Sequence, residues 1–243
     1  MAQSYKHTVL IDSRDTDGVG RCKASALLGH LQEAATQAAE HGGFGREVLL
    51  EQHNGFWMMT RVWVRLDRPL HWGEELTVHT WHRGGKSAVS YRDYDLYVGE
   101  EHVGEGVSAW VLAHMETHKL IRLSNVSVMS ETDGGELCKN ITLSKLRCPE
   151  PLTQVDQRPM RYSDTDINGH VNNTRYADFA CDALEEEMLR KEQFLREFQI
   201  GYLAECRPGE VLTMETGAME AGHYVCGLDG EGKPRFEAQL IFG

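Results

Sequence analysis

A polar turn occurs twice in this chain, roughly 150 residues apart, so any fold for it must accommodate two copies of one unit. Asp15-Thr16-Asp17-Gly18-Val19-Gly20-Arg21 stands near the start, and Asp164-Thr165-Asp166-Ile167-Asn168-Gly169-His170 stands in the second half. Each follows a strand-like run, Thr8 to Ile11 and Gln157 to Tyr162, and each precedes a helical pattern. The separation is too long for a solenoid and fits a duplicated domain.

The first helical pattern spans Ala24 to His41, with Leu27, Leu28, Leu31, Ala34, Ala35 and Ala38 on one side and a Gly42-Gly43 stop. The second starts near Asn173 and aligns Tyr176, Phe179, Ala180, Ala183, Leu184 and Met188, with Glu185-Glu186-Glu187 on the solvated side. Strand-like runs follow each helix: Phe56–Val64, Leu76–Trp81, Ala88–Tyr97 and Val107–Leu112, then Phe198–Leu203, Val211–Thr216, His223–Leu228 and Arg235–Phe242. Turn signals at Gly73, Gly84-Gly85 and Gly99 separate the first set, and Gly73-Glu74 is echoed by Gly209-Glu210. A long helix followed by an antiparallel meander predicts an α+β sheet wrapped around a helix, twice over. The expected units are residues 1–130 and 156–243 with a linker at 131–155, the two sheets joining and a site lying between the halves.

Of 243 residues, 41% are hydrophobic and 26% charged, which is ordinary for a globular protein. No apolar run approaches the roughly 20 residues that span a bilayer, and the start lacks a signal-peptide layout, so a cytoplasmic protein without a membrane anchor is expected. A net charge of -12 argues against nucleic acid as a general partner. Arg61, Arg65 and Arg68, and Lys139, Lys145 and Arg147, are the candidates for local basic patches. The six cysteines are scattered without a C-x-x-C pair, and the histidines show no ligand spacing, so neither disulfides nor a metal is expected.

Chemistry concentrates in the second turn. Asp and Asn are common turn and cap residues, which is reason enough for some of them, and Asn172 or Asn173 is expected to be a helix cap. The internal comparison separates fold from function. Asp17 and the glycine are kept in both copies, whereas Asn168 and His170 are replaced by Val19 and Arg21. A turn that needed Asn and His to fold would need them twice, so these two point to work done only in the second half. Backbone N–H groups at the start of the following helix could then hold a developing oxyanion.

The run Asp166-x-Asn168-x-His170-Val171-Asn172-Asn173-x-x-Tyr176 resembles the active-site signature of the acyl-acyl carrier protein thioesterases of plants and bacteria. Tyr202-Leu203-Ala204-Glu205-Cys206 resembles that family's second signature, where Glu and Cys stand side by side on a strand. Ala109-Trp110-Val111-Leu112 and Thr117-His118-Lys119-Leu120 resemble a strand and turn of its first half. The resemblance implies a double hotdog fold, two tandem helix-wrapped sheets forming one continuous layer, and a cofactor-free hydrolase of fatty acid biosynthesis. Its partner would be acyl carrier protein, and it would act as a monomer or homodimer. Asp166, Asn168, His170 and Glu205 would be catalytic, with Glu205 either activating water or attacking the thioester directly to give an anhydride. Cys206 is a rival nucleophile, disfavoured because neighbours on a strand face opposite ways. Trp57, Met58 and Met59 are core residues by default and candidates for the acyl tunnel. An acyl-CoA thioesterase and a non-catalytic acyl-binding protein are the competing functions.

Overall fold

The computed structural model describes residues 4–126 and 139–243, so the part of the expected linker at 131–138 lies outside the described residues. The chain folds into two compact units that exchange segments: residues 1–12, 29–62 and 73–143 form the first, and 13–28, 63–72 and 144–243 the second. No helix among the described residues is long and apolar enough to cross a membrane.

Helix α1 runs Ala24–His41 and buries Leu27, Leu28, Leu31, Ala34, Ala35 and Ala39. The last of these replaces the expected Ala38, which is half-buried. Gly43 ends the helix at φ +79, where a side chain would be strained, and Phe44 N–H closes it on Ala39 O at 3.0 Å. Helix α2 follows at Arg46–His53.

The first unit holds β1 (Ser4–Leu10), β2 (Gly55–Leu66) as far as Val62, β3 (Glu75–Lys86), β4 (Val89–Val98), β5 (Glu101–His114) and the short β6 (Leu120–Ile121). Their order is β1-β3-β4-β5-β2, with β6 against β5. Leu76, Val78 and Leu96 are fully buried on β3 and β4, in the period-two pattern of a sheet with one covered face. Gly84-Gly85 is not the turn expected there. It lies inside β3, where the pairing shifts between His82 and Gly84 and Gly84 has φ +105; a bulge of this kind needs glycine. The chain reverses two residues later, with Ser87 at φ +61. Lys139, offered above as part of a basic patch, pairs with Asp95 and Glu105.

The second unit contains β7 (Thr153–Pro159), α3 (Arg175–Asp182), α4 (Glu185–Met188), β8 (Leu195–Tyr202), β9 (Val211–Ala218), β10 (His223–Leu228) and β11 (Pro234–Phe242). Its strand order is β8-β11-β10-β9-β7. The expected single helix is two short ones. Leu184 leaves helical geometry at φ -123, ψ 36, just before the three glutamates. Tyr176 on α3 packs against both Phe179 and Phe236, its ring 5.2 Å from that of Phe236. Burying each large apolar side chain stabilises the unit by about 1.5–3 kcal/mol, which anchors so short a helix.

Candidate functional site

Both copies of the polar turn belong to the second unit, and one backbone circuit builds each. In the first, Asp17 N–H donates to Arg21 O (2.8 Å) and Gly20 N–H to Asp17 O (3.0 Å). Val19 N–H reaches Asp17 Oδ1 at 3.0 Å, and Thr16 bridges Cys22. In the second, Asp166 N–H donates to His170 O and Gly169 N–H to Asp166 O, both at 3.0 Å. Asn168 N–H reaches Asp166 Oδ1 at 2.8 Å, and Thr165 bridges Val171. Gly20 and Gly169 sit at φ +81 and +77. Asp17 and Asp166 therefore serve the same bracing task, which explains why both copies keep them.

Each turn is tied to a second segment. Val171 N–H donates to Cys206 O (2.9 Å) as Cys22 N–H does to Leu70 O (2.7 Å). Leu70 thus corresponds to Cys206, and Pro69 stands where Glu205 does. Glu205 and Cys206 are not on a strand as expected but in the loop after β8. That loop is held by Arg235: its carbonyl accepts Leu203 and Ala204 N–H, and its Nη1 donates to Glu205 O at 2.8 Å. Asp229 Oδ2, 3.0 Å from Arg235 Nε, fixes the guanidinium.

The loop brings Glu205 Oε2 to 3.2 Å from His170 Nε2, with the side chains 31% and 20% exposed, so water can reach a paired acid and imidazole. Cys206, by contrast, is fully buried. Burial pushes its thiol above the ordinary cysteine range, against the lowering effect of the Tyr176 hydroxyl beside it. The N–H groups of Gly169 and Val171 are committed to Asp166 O and Cys206 O, and α3 begins five residues after His170. Those two turn N–H groups are therefore already paired within the protein. Asn168 is exposed on the same turn, two residues before His170. The helix cap also differs: Thr174 holds the position, and Asn172 Oδ1 accepts its N–H and hydroxyl at 2.9 and 2.8 Å. Buried Asp164 grips Arg175 from below, 3.3 Å from its Nε.

The first turn is equipped differently. Arg21 Nε pairs with Asp17 Oδ2 at 2.8 Å, Nη1 donates to Gln193 O at 2.6 Å and Nη2 to Met188 O at 2.8 Å. It closes the end of α4, so the position of the imidazole has become a structural clamp. Trp57, Met58 and Met59 lie on β2 in the first unit. Trp57 Nε1 donates to Phe44 O at 3.3 Å and its ring packs against the Ala39, Phe44, Leu49 and Leu112 cluster.

A helix laid on an antiparallel sheet, made twice, with an acid–imidazole pair on one of two equivalent turns, defines a double hotdog protein. The model of the acyl-ACP thioesterase N-terminal domain matches residues 2–128, and that of the C-terminal domain matches residues 152–234. The chain belongs to the acyl-ACP thioesterase family. A chloroplastic dodecanoyl-[acyl-carrier-protein] hydrolase of Cinnamomum camphora is 26% identical over 239 residues, 90% of this chain and 61% of its own. A chloroplastic oleoyl-acyl carrier protein thioesterase of Arabidopsis thaliana is 22% identical over 241 residues, covering 90% and 65%. This chain spans about half to two thirds of the length of the curated relatives it matches. The acyl-ACP thioesterase from Bacteroides thetaiotaomicron shares the fold with a TM-score of 0.88 at 24% identity, over 99% of this chain and 98% of that one. The 12:0-ACP thioesterase from Umbellularia californica does so with 0.79 at 20%, over 100% and 98%.

Proposed function

We propose that this protein hydrolyses fatty acyl thioesters of acyl carrier protein, releasing fatty acid and the carrier thiol. The observation that carries the reading is the Glu205–His170 pair at 3.2 Å, set against Pro69 and Arg21 at the equivalent places of the other turn. A protein that only bound acyl groups would have no use for the difference.

In this mechanism His170 orients Glu205 through one carboxylate oxygen, and the other takes a proton from water as the water oxygen attacks the thioester carbon. The oxyanion is met by the Asn168 amide. Collapse breaks the carbon–sulfur bond, and the proton held by Glu205 returns to the departing thiolate. Asp166 acts as a positioning residue, because its carboxylate holds the turn on which Asn168 and His170 stand. Cys206 is a packing residue: it is buried, and the imidazole faces Glu205 instead. The first half, residues 1–130, would carry the acyl-chain surface, with Trp57, Met58 and Met59 as its candidates.

Matched panels of acyl-acyl carrier protein and acyl-CoA substrates, followed by thiol and fatty acid release, test this. Faster turnover of the carrier-protein panel supports the reading, preference for CoA would reassign the carrier, and no release from either would leave an acyl-binding protein.

A further inference from the structure

The second unit contains a cavity of about 230 Å³ that the mechanism above does not use. It is lined by Asp17, Arg21, Pro69 and Leu70, the first-copy counterparts of Asp166, His170, Glu205 and Cys206. The cavity therefore lies where the first copy would hold its own reaction site, now without a base. Its walls are mainly apolar, with Leu27 from α1, Leu66 from β2, Met188 from α4 and Phe198 from β8. The charges around it are largely neutralised in pairs: Asp17 with Arg21, Asp178 with Arg175 and Asp182 with Arg158. Lys23 and Glu185, also on the lining, are both exposed, and Lys23 is the cation on the solvent side.

We propose that this cavity is a second acyl-chain site that binds but does not hydrolyse, taking an unbranched aliphatic chain with its head group toward Lys23. A 150 Å³ cavity accommodates benzene, about 25 Å³ per heavy atom, so this one holds about nine heavy atoms, the tail of a medium-chain fatty acid. Lost hydrolytic groups with a retained apolar volume are what remains when one of two equivalent sites keeps its binding half. The class of ligand rests on the thioesterase reading; the existence of the cavity does not.

Two cysteines report on it directly, because Cys22 and Cys181 line the cavity while Cys148 is exposed elsewhere. Alkylation of each by iodoacetamide is followed by peptide mass spectrometry in wild-type protein and in Glu205→Gln, with and without octanoate. Occupancy at four times Kd should slow Cys22 and Cys181 about fivefold in both proteins and leave Cys148 unchanged. Unchanged rates at Cys22 and Cys181, or equal slowing at Cys148, overturn the proposal. If the two thiols react too slowly to measure, 8-bromooctanoate in crystals decides: a bromine anomalous peak between Leu27 and Phe198 supports the site, and an empty cavity refutes it. The same preparation is assayed on acyl thioesters. Protection without hydrolysis keeps the pocket and sinks the thioesterase reading, whereas hydrolysis without protection does the reverse.

Discussion

Replacing Arg21 by alanine should destabilise the second unit severely although the residue lies outside the reaction site. Its guanidinium makes three bonds of 2.6–2.8 Å, to Asp17 Oδ2, Gln193 O and Met188 O, and a longer one of 3.3 Å to Arg190 O. Hydrogen bonds to a charged group contribute about 1.5–3 kcal/mol each, so the three short ones set an upper bound of about 9 kcal/mol. The side chain is 13% exposed and Asp17 25%, so water recovers part of the loss on truncation. A net cost of about 3–5 kcal/mol follows, the range for removing one partner of a largely buried pair. Arg21→Lys keeps the charge beside Asp17 but cannot fork to both carbonyls, and should cost about 2 kcal/mol. Urea unfolding followed by far-ultraviolet circular dichroism, with the m-value checked for constancy, gives both numbers. A loss below about 1 kcal/mol for Arg21→Ala, or a lysine variant as stable as wild type, would refute the clamp.

Gly169→Ala meets no atom within 4 Å, so its cost is conformational: φ +77 should make it about 1–2 kcal/mol less stable and lower kcat by displacing His170, and an alanine variant with wild-type kcat contradicts this. Cys206→Ala should lose about 1–2 kcal/mol of stability from a fully buried position while kcat stays within about threefold, and steady-state kinetics beside a thermal melt separates the two effects. Burial works against the Asp17 carboxylate, but the N–H groups of Arg21 and Val19 and the Arg21 guanidinium outweigh it and hold the pKa below the usual carboxylate range. That stabilisation is complete above the unfolded value of about 3.9 and disappears as pH falls through the lower folded value. Melting temperatures of wild type and Asp17→Asn should therefore converge below about pH 4; a constant gap between pH 3 and 6 would contradict the assignment.

The duplicated Asp-Thr-Asp turn, the strands after it and both ends of α1 were legible because each depends on local patterning and turn chemistry. The pieces that were not legible depend on distant partners. The bulge at Gly84-Gly85 looks like a turn until β4 fixes the pairing, and the break at Leu184 interrupts an apolar stripe that reads as one helix. Nothing in the sequence around Arg21 announces acceptors 167 to 172 residues away. One missed residue did have a signal. Aligning Gly73-Glu74 with Gly209-Glu210 and counting back four positions sets Pro69 against Glu205, a third difference between the copies that marks the same half as the reacting one. The loop location of Glu205 removes the strand-alternation argument against Cys206, yet burial separates the two side chains all the same.

The central claim is that Glu205, held by His170, activates water. It is tested most directly by kcat on one acyl-acyl carrier protein substrate for Glu205→Ala and Cys206→Ala, each confirmed folded by circular dichroism. Loss of a general base should lower kcat by about 10²–10⁴-fold in the first variant and leave the second near wild type. Inactive Cys206→Ala beside an active Glu205→Ala would contradict the account and make the thiol the nucleophile.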